Sequence, residues 1–360
     1  MIPFYKPSID IDMVEEHVVD ALKTGQVTNW GLYTKTLEAE IEEYLGRPVV
    51  LTACGTHALT FGLLALAHYG LIPKNARILV PSFTFYASVH AIIWANMIPV
   101  FCDIHQDTYT MDIDSAVGRF DAVMPVNVFG VHYDVDHIKK KTNKPIIGDN
   151  SHGFGGSFSG KRNGTLEDVS CFSSSITKPM QTIEGGILAA NANIVEFVRD
   201  FRNWGSPHGQ HDCRYAGQWS KITEINAIVG LSSMLHLVTS IDRKNEIADM
   251  YKEKLNSHVD LQVIPENVKT TYKDFSILFT EKLVRDKVSS ALDENKIGNK
   301  KYFYPPVHKM QCFGSTYLSE KLPITNNISD RILCLPIYDS ITEEDIDYVC
   351  KTIITALIEK

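Results

Sequence analysis

Apolar positions recur at helical spacing near the start of the chain. Val14, Val18, Ala21 and Leu22 predict one amphipathic helix, stopped by Thr24-Gly25. Leu37, Ile41, Tyr44 and Leu45 predict a second, ending before Gly46. The stretch VVLTACGTHALTFGLLALAHYG then changes character. Its start is β-branched and strand-like, whereas Ala58 to Ala67 is apolar nearly all round and predicts a buried helix. Short apolar runs bounded by polar residues, Gly or Pro follow at Ile78–Val80, Pro99–Asp103, Ala122–Asn127, Ile146–Asp149, Val169–Ser173 and Gly186–Ala190. Helical patterns lie between several of them, as at Tyr86–Ala95 and Val135–Lys141. Continuous apolar strands alternating with helices predict an α/β fold with a mostly parallel sheet covered on both faces. Ligands of such sheets bind at the carboxyl ends of the strands, so the polar residues there carry the interest.

Residues 223 to about 255 contain no strong breaker and predict one long helix linking two domains. Beyond it, strands at Phe275–Phe279 and Ile332–Leu335 mix with helices near 282–295 and 342–358. The last helix opens on Thr342-Glu-Glu-Asp345, a capping-box-like start. The expected organisation is a large domain over 1–235, including the N-terminal helices, and a smaller α+β domain over 236–360.

Composition narrows the field. The 360 residues carry a formal net charge of −8, which argues against nucleic acid as a partner, since that needs basic stripes. A small anionic substrate held by a few local cations stays compatible with it. Seven cysteines are scattered without CxxC spacing, so neither a disulfide framework nor a zinc site is expected. His17, His68, His90, His105, His132, His137, His208, His211, His236 and His258 show no metal-ligand spacing backed by carboxylates, and no metal is expected. The start, MIPFYKPSIDID, lacks a signal-peptide core and no apolar run is long enough to span a bilayer. The expectation is a cytoplasmic protein with no membrane partner.

Four strand ends carry chemistry. Gly55-Thr56 at a strand-to-helix junction offers backbone N–H groups and a hydroxyl to an anion such as a phosphate. Ser82-Phe83-Thr84-Phe85 offers an aromatic ring that can stack on a flat ligand. Asp149, closing an apolar strand, is costly to bury without a positive partner such as a protonated heterocyclic nitrogen; His152 lies three residues on. Lys178 precedes Pro179, which takes it off any helix and onto an extended or turn segment after strand 169–173, with Ser173 five residues earlier. Gly185-Gly186 allows close backbone approach before the next strand. Taken singly, each has an ordinary structural reading as a cap, a core aromatic or a loop lysine. Together, a phosphate cradle, a ring stacker, a buried Asp and an inward Lys are what pyridoxal 5′-phosphate needs.

The same segments resemble the DegT/StrS-type nucleotide-sugar aminotransferases over essentially the whole chain. The resemblance lies in CGTHAL (54–59), PSFTFYAS (81–88), PVFCDIHQDTY (99–109), PVNVFG (125–130), GDNSHGFGG (148–156), FSSSITK with EGG (172–186), KITEINAIVGL (221–231) and LPIYDSITEEDID (335–347). It implies the aspartate-aminotransferase fold (PLP-dependent transferase fold type I) and a homodimer whose partner completes each active site. It further implies that Lys178 forms the Schiff base, Asp149 pairs with the pyridine nitrogen and His152 with the ring hydroxyl. Phe85 stacks on the ring. Thr56 and Ser173, with the backbone at Gly55 and His57, hold the phosphate.

Three departures from the family pattern stand out. Ile183 replaces the first Gly of Gly-Glu-Gly-Gly, which reads as a modest change. Gly148 replaces the Glu before the Asp. Trp219 replaces an Asn that in relatives reaches across the dimer to the phosphate. Relatives with His in place of the lysine dehydrate sugars instead, and Lys178 argues against that reaction. The segment Asn299 to Met310 resembles that of relatives using dTDP-linked keto-6-deoxyhexoses, which nominates Tyr302, Tyr304 and His308 for substrate binding. The expected reaction moves the amino group of glutamate, leaving 2-oxoglutarate, to C-4 of dTDP-4-keto-6-deoxyglucose. C-3 amination of a dTDP-3-keto-6-deoxyhexose, a PLP-dependent sugar dehydratase and a non-catalytic regulatory relative are the alternatives.

Overall fold

The computed structural model describes residues 1–207 and 209–358; His208, Glu359 and Lys360 lie outside the described residues. The central strands are β1 (Val49–Thr52), β2 (Arg77–Pro81), β3 (Ile98–Cys102), β4 (Ala122–Val123) and β5 (Ile147–Asp149). After a short hairpin, β6 (Ser157–Phe158) and β7 (Lys161–Arg162), come β8 (Val169–Ser173) and β9 (Gly186–Ala190). Ladders group them into two blocks, β1-β9-β8-β5 and β3-β2-β4. Isolated parallel bridges, Val123 to Ile146 and Val126 to Asp149, join the blocks into one sheet. Only β9 runs antiparallel to its neighbours. The ladder of β4 stops well short of the expected Ala122–Asn127, because Pro125 has no N–H to donate to it.

Helices cover both faces, as the continuous apolar strands require. On one face α3 (Gly55–His68), α4 (Tyr86–Trp94) and α6 (Ala192–Phe201) share a core with the sheet. On the other, α1 (Ile11–Thr24), α2 (Leu32–Leu45) and α7 (Glu224–Leu235) pack on β1 and β9. Gly25 and Gly46 end α1 and α2 in left-handed geometry, as expected from their positions. In α1, Ala21 is buried but Leu22, one position round the helix, is exposed.

The expected single helix after residue 223 is two. α7 ends at Leu235, and α8 (Leu237–Leu255) leaves it at 61°. No Gly or Pro marks the break at His236. Packing makes it: α7 lies on α1 and α2, whereas α8 packs on the C-terminal helix. The second unit adds strands β10 (Asp260–Leu261), β12 (Phe275–Leu278) and β13 (Ile332–Leu335), whereas β11 (Val268–Lys269) returns to pair antiparallel with β6 of the first hairpin. An antiparallel sheet, β10-β12-β13, is covered by α8, α9 (Lys282–Glu294) and, after α10 (Pro323–Arg331), α11 (Glu343–Ile358). Thr342 Oγ1 accepts from Asp345 N at 3.1 Å, and Asp345 Oδ2 from Thr342 N at 3.4 Å, so the capping box forms. Ile2, from the other end of the chain, pairs with Ile297 and is buried in this second core.

Candidate active site

The ends of β5 and β8, the turn after β2 and the N-terminus of α3 open on one cleft of about 320 Å³. Gly55, Thr56, Phe85, Asp149, His152, Ser173 and Lys178 all line it. These residues are separated by up to 123 positions in sequence and meet because parallel crossovers return each strand end to the same edge of the sheet.

The expected anion cradle depends on two glycines. A Cβ on Gly55 would lie 2.9 Å from Ser173 Cβ, and one on Gly186 would run into the Cys54 carbonyl. Without side chains there, the start of α3 sits directly against the end of β8. No side chain caps α3, so its first turn faces the cleft with Thr56 and Ser173 beside it.

Asp149 is buried, and both its oxygens are held. Oδ2 accepts from Ser88 Oγ at 2.6 Å; Oδ1 accepts from Ser151 N at 3.1 Å and Ser151 Oγ at 2.5 Å. His152 receives the Phe129 N–H on Nδ1 at 3.1 Å. That bond makes Nδ1 the acceptor and leaves Nε2 to carry the proton. Burial, and then the charges of Lys178 and Lys273, hold the imidazole well below its ordinary pKa, so it is a neutral donor.

Lys178 sits in a turn, its N–H bonded to Ser175 O at 2.9 Å, and its side chain is partly exposed into the cleft it lines. Its amine is brought down from 10.5 to about 7. Enclosure by protein is the largest cause and repulsion from Lys273 the next, with Asp274 and Asp149 pulling the other way. Near pH 7 a substantial fraction of this lysine is therefore free amine, the nucleophilic form.

Several nominated residues lie elsewhere. The His57 side chain leaves the cleft: Nδ1 is 2.8 Å from Ser220 Oγ and its ring stacks on Phe61. Only its backbone stays in the first turn of α3. Tyr304 accepts from Lys282 Nζ at 2.7 Å and stands outside the cleft lining. His308 is fully buried with Nδ1 2.7 Å from Ser82 Oγ, so it braces the turn after β2 and cannot reach a substrate. Burial, with Lys309, brings its pKa to about 4. Tyr302 does line the cleft, together with Phe303 and Lys273, two residues the sequence reading passed over. Asn127 was missed as well. It lines the cleft while buried, and neither its Nδ2 nor its Oδ1 has a partner.

The structure gives each departure a setting. Ile183 adopts φ 66°, the left-handed region that suits the Gly of relatives, so the change is larger than it reads. A side chain at position 148 would collide with the Tyr133 hydroxyl. That hydroxyl, Ser170 Oγ and Asn150 Nδ2 donate to the buried carboxylate of Glu167, which fills this part of the interior. Trp219 is 51% exposed, lies 5.9 Å from the Trp204 ring, and carries Lys221 Nζ 3.8 Å over its face.

A model of the DegT/DnrJ/EryC1/StrS aminotransferase family matches residues 9–354. The chain belongs to this family. GDP-perosamine synthase of Escherichia coli O157:H7 is 31% identical over 362 residues, covering 98% of this chain and 97% of its own. The dTDP-4-amino-4,6-dideoxy-D-glucose transaminase of Escherichia coli is 29% identical over 370 residues, covering 98% of each chain. A crystal structure of a DegT DnrJ EryC1 StrS aminotransferase from Brucella abortus matches with a TM-score of 0.87 at 25% identity, over 97% of this chain and 96% of that one. The fold is thus the type I fold of PLP-dependent transferases, and the protein is a PLP-dependent aminotransferase.

The residues of this aminotransferase fit the cofactor. An uncapped helix start would suit a phosphate, the fixed Asp149 carboxylate a ring N–H, and the His152 Nε2–H a phenolic oxygen. Asn127, which lines the same cleft, has a buried side-chain amide with no protein partner.

Proposed function

We propose that the protein aminates C-4 of a nucleotide-linked 4-keto-6-deoxyhexose, taking the amino group from glutamate. The observation that carries this reading is the convergence of Lys178, Asp149 and His152 on one cleft. Pyridoxal phosphate, when bound, supplies the electron sink that lets the amino group pass between donor and acceptor. Lys178 would hold it covalently and move a proton at the substrate carbon. Asp149 would keep the ring nitrogen protonated, held in place by Ser88 and Ser151. His152 would donate from Nε2 to the ring oxygen. Phe85, 42% exposed at the mouth, would stack on the ring. Gly55, Thr56, Ser173 and the His57 backbone would hold the phosphate.

The large domain, 1–235, supplies all of these groups. The small domain, 236–360, adds Lys273, Tyr302 and Phe303, which we assign to the substrate side of the cleft. C-4 is favoured because a relative 29% identical is named for a 4-amino-4,6-dideoxy sugar. The two relatives carry different nucleotides, GDP and dTDP, and neither Tyr304 nor His308 is placed to choose between them. Dimerisation, with a partner completing the site, belongs to the same reading.

The test is incubation of the cofactor-loaded enzyme with nucleotide-linked aminosugars and 2-oxoglutarate. Glutamate formation with 4-amino sugars supports the reading. Turnover confined to 3-amino sugars moves the reaction to C-3. Incubation with a keto sugar but without glutamate adds a control: a product that has lost oxygen and gained no nitrogen would replace transamination with dehydration.

A further inference from the structure

Lys273 comes from the second unit, just before β12, yet its side chain lines the same cleft as Lys178. It is 6% exposed, and its Nζ donates to Asp274 Oδ1 at 2.7 Å. The other Asp274 oxygen is buried without a partner. An ion pair taken out of water and half unpaired adds little to a fold, which points to a use for it other than stability.

The surroundings of Lys178 point to that use. Within the cleft the titratable groups beside it are Cys54, Asp149, His152, Glu184, Lys273 and Tyr302. On its reverse side a cavity of about 20 Å³ brings Tyr5, Lys6, His236, Lys244, Tyr338 and Asp339. Of all these and Asp274, the charges that act on the Lys178 amine are Lys273, Asp274 and Asp149, in that order. A second cation beside a lysine in a desolvated site favours the free amine.

We propose that Lys273 is a positioning residue for the Lys178 amine: an ammonium fixed by Asp274 in the wall of the same cleft, it disfavours a second positive charge on that amine and so favours its nucleophilic form. The proposal rests on the reading of Lys178 as the reactive amine.

Competitive acetylation of the cofactor-free enzyme with acetic anhydride across pH, read by mass spectrometry of the Lys178 peptide, gives the amine's midpoint. Wild type should label with a midpoint near 7. Lys273→Met should raise it by about one unit, and Lys273→Arg, which keeps the charge, should not. Asp274→Asn, which removes a carboxylate that favours the ammonium, should lower it. A purely structural role gives no such opposite movement. Midpoints that stay put, or that move in one direction for both charge changes, in variants with wild-type circular dichroism, overturn the proposal. Should Lys273→Met fail to fold, Asp274→Asn decides: a lowered midpoint supports the proposal and an unmoved one ends it. Adding pyridoxal phosphate separates the underlying reading. Protein that labels as expected but acquires no absorbance band dependent on Lys178 would sink the assignment of Lys178, not the electrostatics.

Discussion

Ser88 Oγ donates to Asp149 Oδ2 at 2.6 Å, joining the first turn of α4 to the end of β5. Ser88 is also 2.7 Å from Thr84 Oγ1, so the carboxylate is the end of a short buried chain of hydroxyls. Nothing in the motif PSFTFYAS marks its last serine as more than a small helix residue. Ser88→Ala should therefore weaken cofactor binding about tenfold, on the order of 1.4 kcal/mol, in a fluorescence titration. Asp149→Asn, which keeps the shape and loses the charge, should lower turnover by about 10³-fold or more. An Asn variant with near-wild-type turnover would remove Asp149 from the chemistry.

Lys178 makes the cofactor-free enzyme less stable. Its amine titrates at about 7 in the folded chain against 10.5 ordinarily, so the folded state disfavours the charged form. The penalty is complete below pH 7, shrinks as pH rises toward 10.5, and vanishes above it. Lys178→Met should raise the melting temperature of the cofactor-free protein at pH 7, with the gain fading toward pH 10.5. Differential scanning fluorimetry across that range checks both the sign and the window, and the same variant should be inactive.

Ile183, β-branched and at φ 66°, occupies backbone space that costs an L-residue about 1–2 kcal/mol. It is 41% exposed and caps no core cluster that would repay that cost. Ile183→Gly should stabilise the protein by about 1 kcal/mol, read from the denaturation midpoint, although glycine's greater freedom when unfolded offsets part of the gain.

Glu167 gives an acid-side prediction. Burial alone would raise its pKa, but hydrogen bonds from His132, Ser170 and Tyr133 outweigh that and bring it from 4.5 to about 2. Its stabilising contribution is therefore present above pH 4.5 and lost as pH falls toward 2. Glu167→Gln should flatten the loss of stability across that interval while lowering stability at pH 7 by about 3 kcal/mol. Equal slopes in acid denaturation of the two proteins would refute the assignment.

The sheet and the strand-end chemistry were legible because each is a local signal. Asp149 ends an apolar run, Lys178 precedes Pro179, and Gly55-Thr56 opens an apolar helix. The unread parts depend on partners far away in sequence. α10 begins where Asp103, more than 200 residues earlier, accepts from Ile324 N and Thr325 N at 2.9 and 2.7 Å. His308 looks like a ligand in a polar-aromatic stretch, and only the fold shows Ser82 against it. Lys273 stands in Thr-Tyr-Lys-Asp, where nothing announces that its side chain crosses to the first unit's strand ends. The break at His236 likewise comes from what each helix packs against.

The two blocks of the central sheet meet at β4 and β5 through two isolated bridges, one of which ends at Asp149. A molecule gripping Thr56 and Ser173 on one side of that line and Phe85 on the other works as a rivet across the join. Loading the enzyme should thus slow amide hydrogen exchange most along Val126–Asn127 and Ile147–Asp149, far more than in the outer strands. The cofactor would then be a fastener of the scaffold as well as its reagent.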